Sequence, residues 1–249
     1  MAIAIVTGAS GGIGREFVRQ IAGDREVDAI WVLARRVDRL AELQGEIDKR
    51  LVVKGIDLAC KSDLNRFNEE LKAASPNVKY LVNCAGLGYI GAFDGLKCEE
   101  IARMIDINCT ALSFVTYYVL PYINDGGAII NLASSAAFLP QPNFAVYAAS
   151  KSYVLSLSRA LREELKPRKI KVTAVCPGPV KTEFFDIAEV RNKIAAYKKK
   201  YMVNAKDVVC AALRASARGK AVTTYSISMK SFRLACKILP HKWLVRLAK

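Results

Sequence analysis

Residues 1–16 read MAIAIVTGASGGIGRE, a short apolar run that passes at once into a turn with glycine at positions 8, 11, 12 and 14. Ala2–Thr7 is too short for a stable helix, and its near-continuous apolar character suits a strand buried on both faces. Ile13–Ala22 then places apolar residues at helical spacing. A strand that turns through small residues into a helix is built to receive phosphate. The backbone can approach a pyrophosphate closely, and the helix presents the positive end of its dipole. The spacing is Gly-x-x-x-Gly-x-Gly rather than GxGxxG, and any tight strand-to-helix turn recruits glycine. The weight of the reading therefore rests on the rest of the chain.

Residues 29–176 repeat the unit. Strand-like runs at Ala29–Ala34, Leu51–Ile56, Val78–Asn83, Ala128–Ala133 and Lys171–Cys176 alternate with amphipathic stretches such as Val37–Lys49 and Leu64–Ala73. This alternation predicts an α/β fold: a doubly wound, Rossmann-like parallel sheet with helices on both faces and right-handed crossovers. No Pro/Gly/Ser-rich linker or repeat divides the 249 residues, so a single domain over 1–249 is expected. The most apolar long stretch, Ala111–Ile123, is too short to span a bilayer and is interrupted by Pro121, which predicts a buried helix.

Composition narrows the chemistry. An apolar share of 52% with 24% charged residues is that of a folded protein with a sizeable core. The seven cysteines show no CxxC pair and no metal-type spacing, which reads as free thiols in a reducing cytoplasm. His241 is the only histidine, so Ser–His–Asp catalysis and histidine-rich metal sites are excluded. MAIAIVTG has neither a basic n-region nor a cleavage site, so no signal peptide is expected. The net charge of +15 is uneven: residues 159–249 hold 22 Lys/Arg against 6 Asp/Glu, and the remainder holds 16 and 17. A basic half can serve nucleic acid, anionic lipid or an anionic substrate. No helix-turn-helix, RNA-recognition or zinc pattern accompanies it, so nucleic acid is not expected as a partner.

The second strand ends in Ala34-Arg35-Arg36. An acidic residue near this point would hold the ribose 2′-hydroxyl of NAD, whereas arginine accommodates a 2′-phosphate. The reading is NADPH/NADP in preference to NADH, with Arg35 as the principal contact and Arg36 and Ser10 in support. The competing reading leaves both arginines on the solvent face of the next helix. Asp57-Leu58 and Asn83-Cys84-Ala85-Gly86 follow the third and fourth strands, at the edge where open α/β sheets bind ligands. Asp57 could accept from an adenine amino group, and Asn83 with Ala85 and Gly86 could wall the adenine ribose.

Tyr147 and Lys151, four residues apart in a helical pattern (Phe144–Leu165), share a helix face. An ammonium beside a phenol favours the phenolate and would lower the tyrosine pKa from its usual ~10. Ser134 follows a strand end and could return its hydroxyl to the phenol. Asn108 lies within an apolar helix: either its amide is satisfied by backbone groups, or the helix is kinked and holds a water near Lys151.

TGASGGIG, NCAG, Asn108, Ser134, Tyr147-x-x-x-Lys151 and CPGPVKT, in this order over residues 1 to about 185, resemble the short-chain dehydrogenase/reductase family. The resemblance implies an NAD(P)-dependent oxidoreductase acting on CH–OH and C=O groups. It makes Tyr147 the acid/base, Lys151 the group that tunes it and holds the nicotinamide ribose, Ser134 the carbonyl-orienting hydroxyl, and Asn108 the support of a water relay. It places Thr7, Gly8, Gly12, Ile13 and Gly14 in the cofactor turn, and Pro177, Gly178, Val180 and Thr182 against the nicotinamide carboxamide. Cys84 stands where the family usually has a second asparagine, and the family's glycine-rich final strand is missing from the C-terminal sequence. Ala111–Ile123 and Tyr153–Leu165 match the helices with which the family pairs subunits, so a homodimer is expected.

Loops at the expected mouth carry Leu87, Tyr89, Phe138, Leu139, Pro140, Phe144, Phe184 and Phe185, with Gln141 and Asn143 as polar exceptions. Such a lining favours a bulky apolar ligand. Residues 183–218 are read as lid helices, with Arg191, Lys193 and Lys198–Lys200 available to an anionic tail. A hydroxysteroid or bile-acid type of ketone or alcohol fits both features; a 3-oxoacyl thioester is the alternative. A reading of another class is an NADPH-holding scaffold or anionic-lipid binder without catalysis. Residues 228–249 form a basic amphipathic extension with Phe232, Ala235, Cys236 and Leu239 on one stripe, continued by Trp243, Leu244 and Leu247. It is expected to dock on its own domain or a partner subunit, or to lie on an anionic membrane, which makes the location cytoplasmic or membrane-peripheral.

Overall fold

Successive residues of a strand point to opposite faces, and β1 (Ala2–Thr7) shows the consequence. Ala4 and Val6 pack into one apolar layer, Ile3 and Ile5 into another. The same division runs through β2 (Ala29–Ala34), where Ile30 and Val32 oppose Trp31 and Leu33. Both faces are covered, which is why these strands read as unbroken apolar runs. In the computed structural model, which describes residues 1–47, 50–189 and 202–247, β3 (Leu51–Gly55), β4 (Asn77–Asn83), β5 (Ile123–Leu132), β6 (Lys171–Val175) and β7 (Val222–Thr223) complete a parallel sheet. Its order is β3-β2-β1-β4-β5-β6-β7.

One layer is formed by α1 (Gly12–Ala22), α2 (Val37–Glu46) and α8 (Ala205–Ala217). They bury Phe17, Val18 and Ile21, Leu40 and Leu43, and Val208, Val209 and Ala212. The other layer holds α3 (Lys61–Ala74), with Leu64, Phe67 and Leu71, and α5 (Leu112–Val119), with Val115 and Val119. Each such side chain contributes roughly 1.5–3 kcal/mol by leaving water. Strand order reverses between β1 and β4, so the loops beyond their carboxyl ends diverge and leave a crevice.

Three expectations need correction. The stretch Ala111–Ile123 is not a wholly buried helix: Leu112 and Val115 face the sheet, while Tyr117 is 74% exposed and Phe114 also meets solvent. An apolar helix packed on a single face leaves its remaining side chains outside. The six expected strands are seven: β7 is two residues long and pairs with Ala174 and Val175, too short to register as a pattern. The fifth strand begins at Ile123 rather than Ala128 and passes through Gly126 at φ +85°, a glycine conformation that a strand pattern does not anticipate. The chain continues through α4 (Cys98–Ile105), a π-helical segment Asp106–Ala111, α6 (Ala145–Glu164), α7 (Phe184–Ala188), α9 (Ile227–Ile238) and α10 (His241–Leu247).

Candidate active site

The turn after β1 is held by close backbone approach. Gly8 sits at φ +68°, and a Cβ there would lie 2.8 Å from the Ala85 backbone; one on Gly14 would lie 2.2 Å from the Gly8 carbonyl oxygen. The N-cap of α1, Gly11, has no side-chain cap, and the first turn carries no acid, so no side chain of the helix itself claims its first amide N–H groups. That is the donor set a pyrophosphate needs. A cleft of about 650 Å³ runs from this turn to the ends of β4, β5 and β6.

Of the residues expected at the cofactor, Gly8, Ser10, Gly12, Ile13, Gly14, Arg35, Arg36, Asp57, Leu58, Ala85, Gly86, Pro177, Gly178, Val180 and Thr182 line the cleft. Thr7 and Asn83 do not. The Thr7 hydroxyl accepts from the amides of Cys84 and Ala85 at 3.1 and 3.2 Å, stitching the two loops together behind the wall. The Asn83 amide donates to Thr116 Oγ1 and Asn131 Oδ1, both at 2.9 Å, and Asn131 donates in turn to Ser158 Oγ at 3.0 Å. Asn83 is thus a buried tie between β4, β5 and α5 and not a wall of the adenine ribose. The last residue of a strand points either into the crevice or into the helical layer, and the sequence does not say which. The Asp57 carboxylate accepts from Ala59 N at 3.0 Å and pairs with Arg103 at 3.1 Å while keeping a place on the cleft.

Tyr147 and Lys151 are both buried and both border the cleft. Their relation differs from the expected one. Lys151 Nζ donates to Leu132 O at 2.8 Å and lies 5.6 Å from the centre of the Tyr147 ring, so the amine runs past the ring to the end of β5. Burial pushes the phenol up to about 12, and only the neighbouring Ser134 hydroxyl pulls the other way. Burial also draws Lys151 down to about 8, against a small raising effect of neighbouring thiols. The lysine therefore does not acidify the phenol in the cofactor-free chain. Ser134 is positioned by Ser135 N, which donates to Pro177 O at 2.8 Å, and by its own acceptance from Ala136 N at 3.1 Å.

Asn108 lies in the π-helical segment and is fully buried behind the cleft wall. Its amide oxygen accepts from Leu87 N, and its nitrogen donates to Leu87 O, both at 2.8 Å, and to Ser150 Oγ at 2.9 Å. A π-helical stretch interrupts the helix here, and the amide is satisfied by the Leu87 backbone and the Ser150 hydroxyl. Its oxygen still comes close to Lys151, since a Cβ on Gly86 would lie 3.4 Å from Asn108 Oδ1 and 3.1 Å from Lys151 Nζ.

Beyond the phenol the cleft becomes apolar. Phe144 stacks on Tyr147 with ring centres 4.2 Å apart, and the Phe184 ring lies tilted to it at 5.5 Å. Leu87, Leu139, Gln141, Asn143, Phe184 and Phe185 share this compartment, and Asn143 adopts φ +59°, a conformation asparagine tolerates. Tyr89 packs into the cluster beneath, and Phe138 turns toward α9, where Arg233 lies 5.9 Å from its ring. Arg191, Lys193 and Lys198–Lys200 lie outside the described residues.

Residues 2–192 match the family model for short chain dehydrogenases. The chain belongs to the short-chain dehydrogenase family. It is accordingly an oxidoreductase of alcohol and carbonyl groups. Among relatives, sulfoacetaldehyde reductase 2 of Chromohalobacter salexigens is 37% identical over 191 residues, covering 73% of this chain and 74% of that protein. A short-chain dehydrogenase from Sphingobium yanoikuyae in complex with NADPH superposes with a TM-score of 0.81 at 28% identity, covering 99% of this chain and 96% of that one. The bulky-bulky ketone specific alcohol dehydrogenase from Comamonas testosteroni gives 0.76 at 26% identity, covering 98% and 90%.

Of the residues in this short-chain dehydrogenase's cleft that escape a reading of the sequence as positions of the site, three bear on its chemistry. Glu183 reaches over the glycine turn to Arg36, and Met229 and Phe232 arrive from α9. Met229 presses on the family's Pro-Gly loop: a Cβ on Gly178 would lie 2.8 Å from its sulfur. The apolar stripe through Phe232 was the available signal, but a stripe does not name the surface it lands on.

Proposed function

We propose that this short-chain dehydrogenase is an NADPH-dependent reductase of bulky apolar ketones, of hydroxysteroid or bile-acid type, or an oxidant of the corresponding secondary alcohols. One observation carries the reading: a buried phenol stands where a dinucleotide cleft meets an aromatic compartment, with Ser134 lining the same cleft. Arg35 and Arg36, with Ser10, take the 2′-phosphate. The glycine turn takes the pyrophosphate, and Pro177, Gly178, Val180 and Thr182 face the nicotinamide end. The nicotinamide, when bound, supplies the hydride. Tyr147 gives its proton to the carbonyl oxygen while the Ser134 hydroxyl donates a hydrogen bond to the same atom. Lys151 has two N–H groups beyond the one spent on Leu132 O and offers them to ribose hydroxyls; Asn108 fixes the loop through Leu87 and supports a water relay toward the amine.

The aromatic lining supports a bulky substrate, and the structural likeness to an NADPH complex and to a bulky-bulky ketone specific enzyme points the same way. Phe114, Tyr117 and Tyr153 form an exposed aromatic face across α5 and α6, which supports pairing of two copies there in the cytoplasm. The test is Tyr147→Phe. It should lose roughly 10²–10⁴ in kcat, the usual worth of general acid catalysis, while binding NADPH as the parent does. Steroids, bile acids and acyl thioesters form the substrate panel. NADPH binding without turnover of any of them would favour a scaffold.

A further inference from the structure

Helix α9 has two apolar faces. Met229, Phe232 and Cys236 look inward, and the first two line the cleft. About 140–200° round the axis from Ile227, this inner set opposes Ile227, Leu234 and Ile238, which fall within about 40° of one another. The outer three are 81%, 57% and 69% exposed, and Trp243 on α10 is 56% exposed. Lys230 and Lys237 lie along one flank of the outer face, and α10 adds Lys242 and Arg246; all four are exposed. No Asp or Glu follows Asp207 in the sequence.

We infer that the outer face of α9 and α10 docks on an anionic membrane surface. An apolar stripe edged by cations lies in the boundary between headgroups and acyl chains, and anionic lipid supplies the missing opposite charge. No helix among the described residues is long and apolar enough to cross a membrane, so the contact lies along the surface. A second copy of the same face is disfavoured, because an isologous contact would bring cation against cation with no acid to offset it. The consequence for substrate, which rests on the ketone reading above, is directional: the helix that touches the bilayer is the wall of the compartment behind it. An apolar ketone dissolved in lipid would enter past Phe232 and Met229.

Flotation of the full chain with vesicles tests the surface without any catalysis. Phosphatidylcholine vesicles should carry little protein, and vesicles containing phosphatidylglycerol roughly tenfold more or better, with the difference falling as salt rises. The chain has two tryptophans, of which Trp31 is buried, so a blue shift of emission on vesicles reports Trp243. Leu234→Ser with Ile238→Ser should abolish flotation, and Lys230→Glu with Lys237→Glu should weaken it severalfold, while NADPH affinity stays at the parent value in both. Equal flotation on neutral vesicles, no flotation, or variants that float unchanged would overturn the inference. Conversion of a dimer to a monomer by the Leu234/Ile238 pair would assign the face to a second copy instead. Failure of ketone turnover with intact flotation would sink only the substrate reading.

Discussion

Arg36 Nη1 donates to Glu183 Oε2 at 2.8 Å, and the other oxygen of the same carboxylate pairs with Arg39. Glu183 thereby closes over Gly11, whose Cβ, if it had one, would lie 3.7 Å from the carboxylate. A 2′-phosphate seeking Arg36 meets an anion already seated. The hydrogen bond from Arg36 holds the Glu183 carboxyl below its ordinary range, so it is charged at neutral pH. Glu183→Gln should therefore tighten NADPH. Both ion pairs are solvent-accessible and therefore weak, so the dissociation constant should fall by roughly three- to tenfold. NADH, which lacks the phosphate, should move less than about twofold. Nucleotide fluorescence measures both constants; equal changes for the two cofactors would remove Glu183 from phosphate recognition.

Lys151 sets a pH dependence of stability. Its folded pKa is about 8 against 10.5 when free, so the unfolded chain holds the extra proton between those values. Stability from this group rises with pH across that window, because burying the charged amine costs nothing once it is neutral. Tyr147, raised to about 12 from 10, acts oppositely but only above pH 10. Between pH 8 and 10 the lysine dominates. Lys151→Met should remove the rise, gaining on the order of 3 kcal/mol at most over the parent near neutral pH. Urea midpoints of the cofactor-free proteins at the two pH values decide it; parallel curves would refute the shift.

Gly88 lies against the reacting ring. A Cβ there would come within 2.8 Å of Tyr147 Cδ2 and 2.9 Å of Phe144 Cζ, so the stacked rings would have to shift. Gly88→Ala should lower kcat by about tenfold or more, as a misplaced acid does, with NADPH affinity preserved. Unchanged kcat would show that the two rings shift together without loss.

Asn83 separates support from contact. Asn83→Leu leaves the buried Asn131 Oδ1 without its donor, at roughly 1–3 kcal/mol for a buried polar group left unpaired, while Thr116 keeps its bond to Leu112 O. Thermal unfolding should fall accordingly, and NADPH affinity of the folded protein should not change. A selective loss of NADPH affinity with normal stability would return Asn83 to the ribose wall.

The strands and the glycine turn were legible because burial on both faces writes itself as unbroken apolar runs, and because a turn this close to Ala85 admits only glycine. Tyr147, Lys151 and Ser134 were legible as neighbours. Their electrostatics were not, since the four-residue spacing places both on one face but cannot show that the amine is claimed by Leu132 O. Thr7 and Asn83 were misplaced for a similar reason: a polar residue at a strand end serves the crevice or the loops behind it, and only geometry separates the two. Met229 and Phe232 come from a helix more than forty residues beyond the CPGPVKT motif, and nothing local announces where it lands.

The stacking of Phe144 on Tyr147 carries a stereochemical consequence. With one ring face covered at 4.2 Å and Phe184 against its flank, the phenol oxygen has essentially one bearing. A prochiral ketone must bring its oxygen to that bearing, so which side of the carbon meets the dihydropyridine depends on how its two unequal arms fit between Phe184 and Met229. On that reading the flanking side chains bear on which enantiomer forms, and reshaping them should change the product's handedness ratio while the proton donor stays where it is.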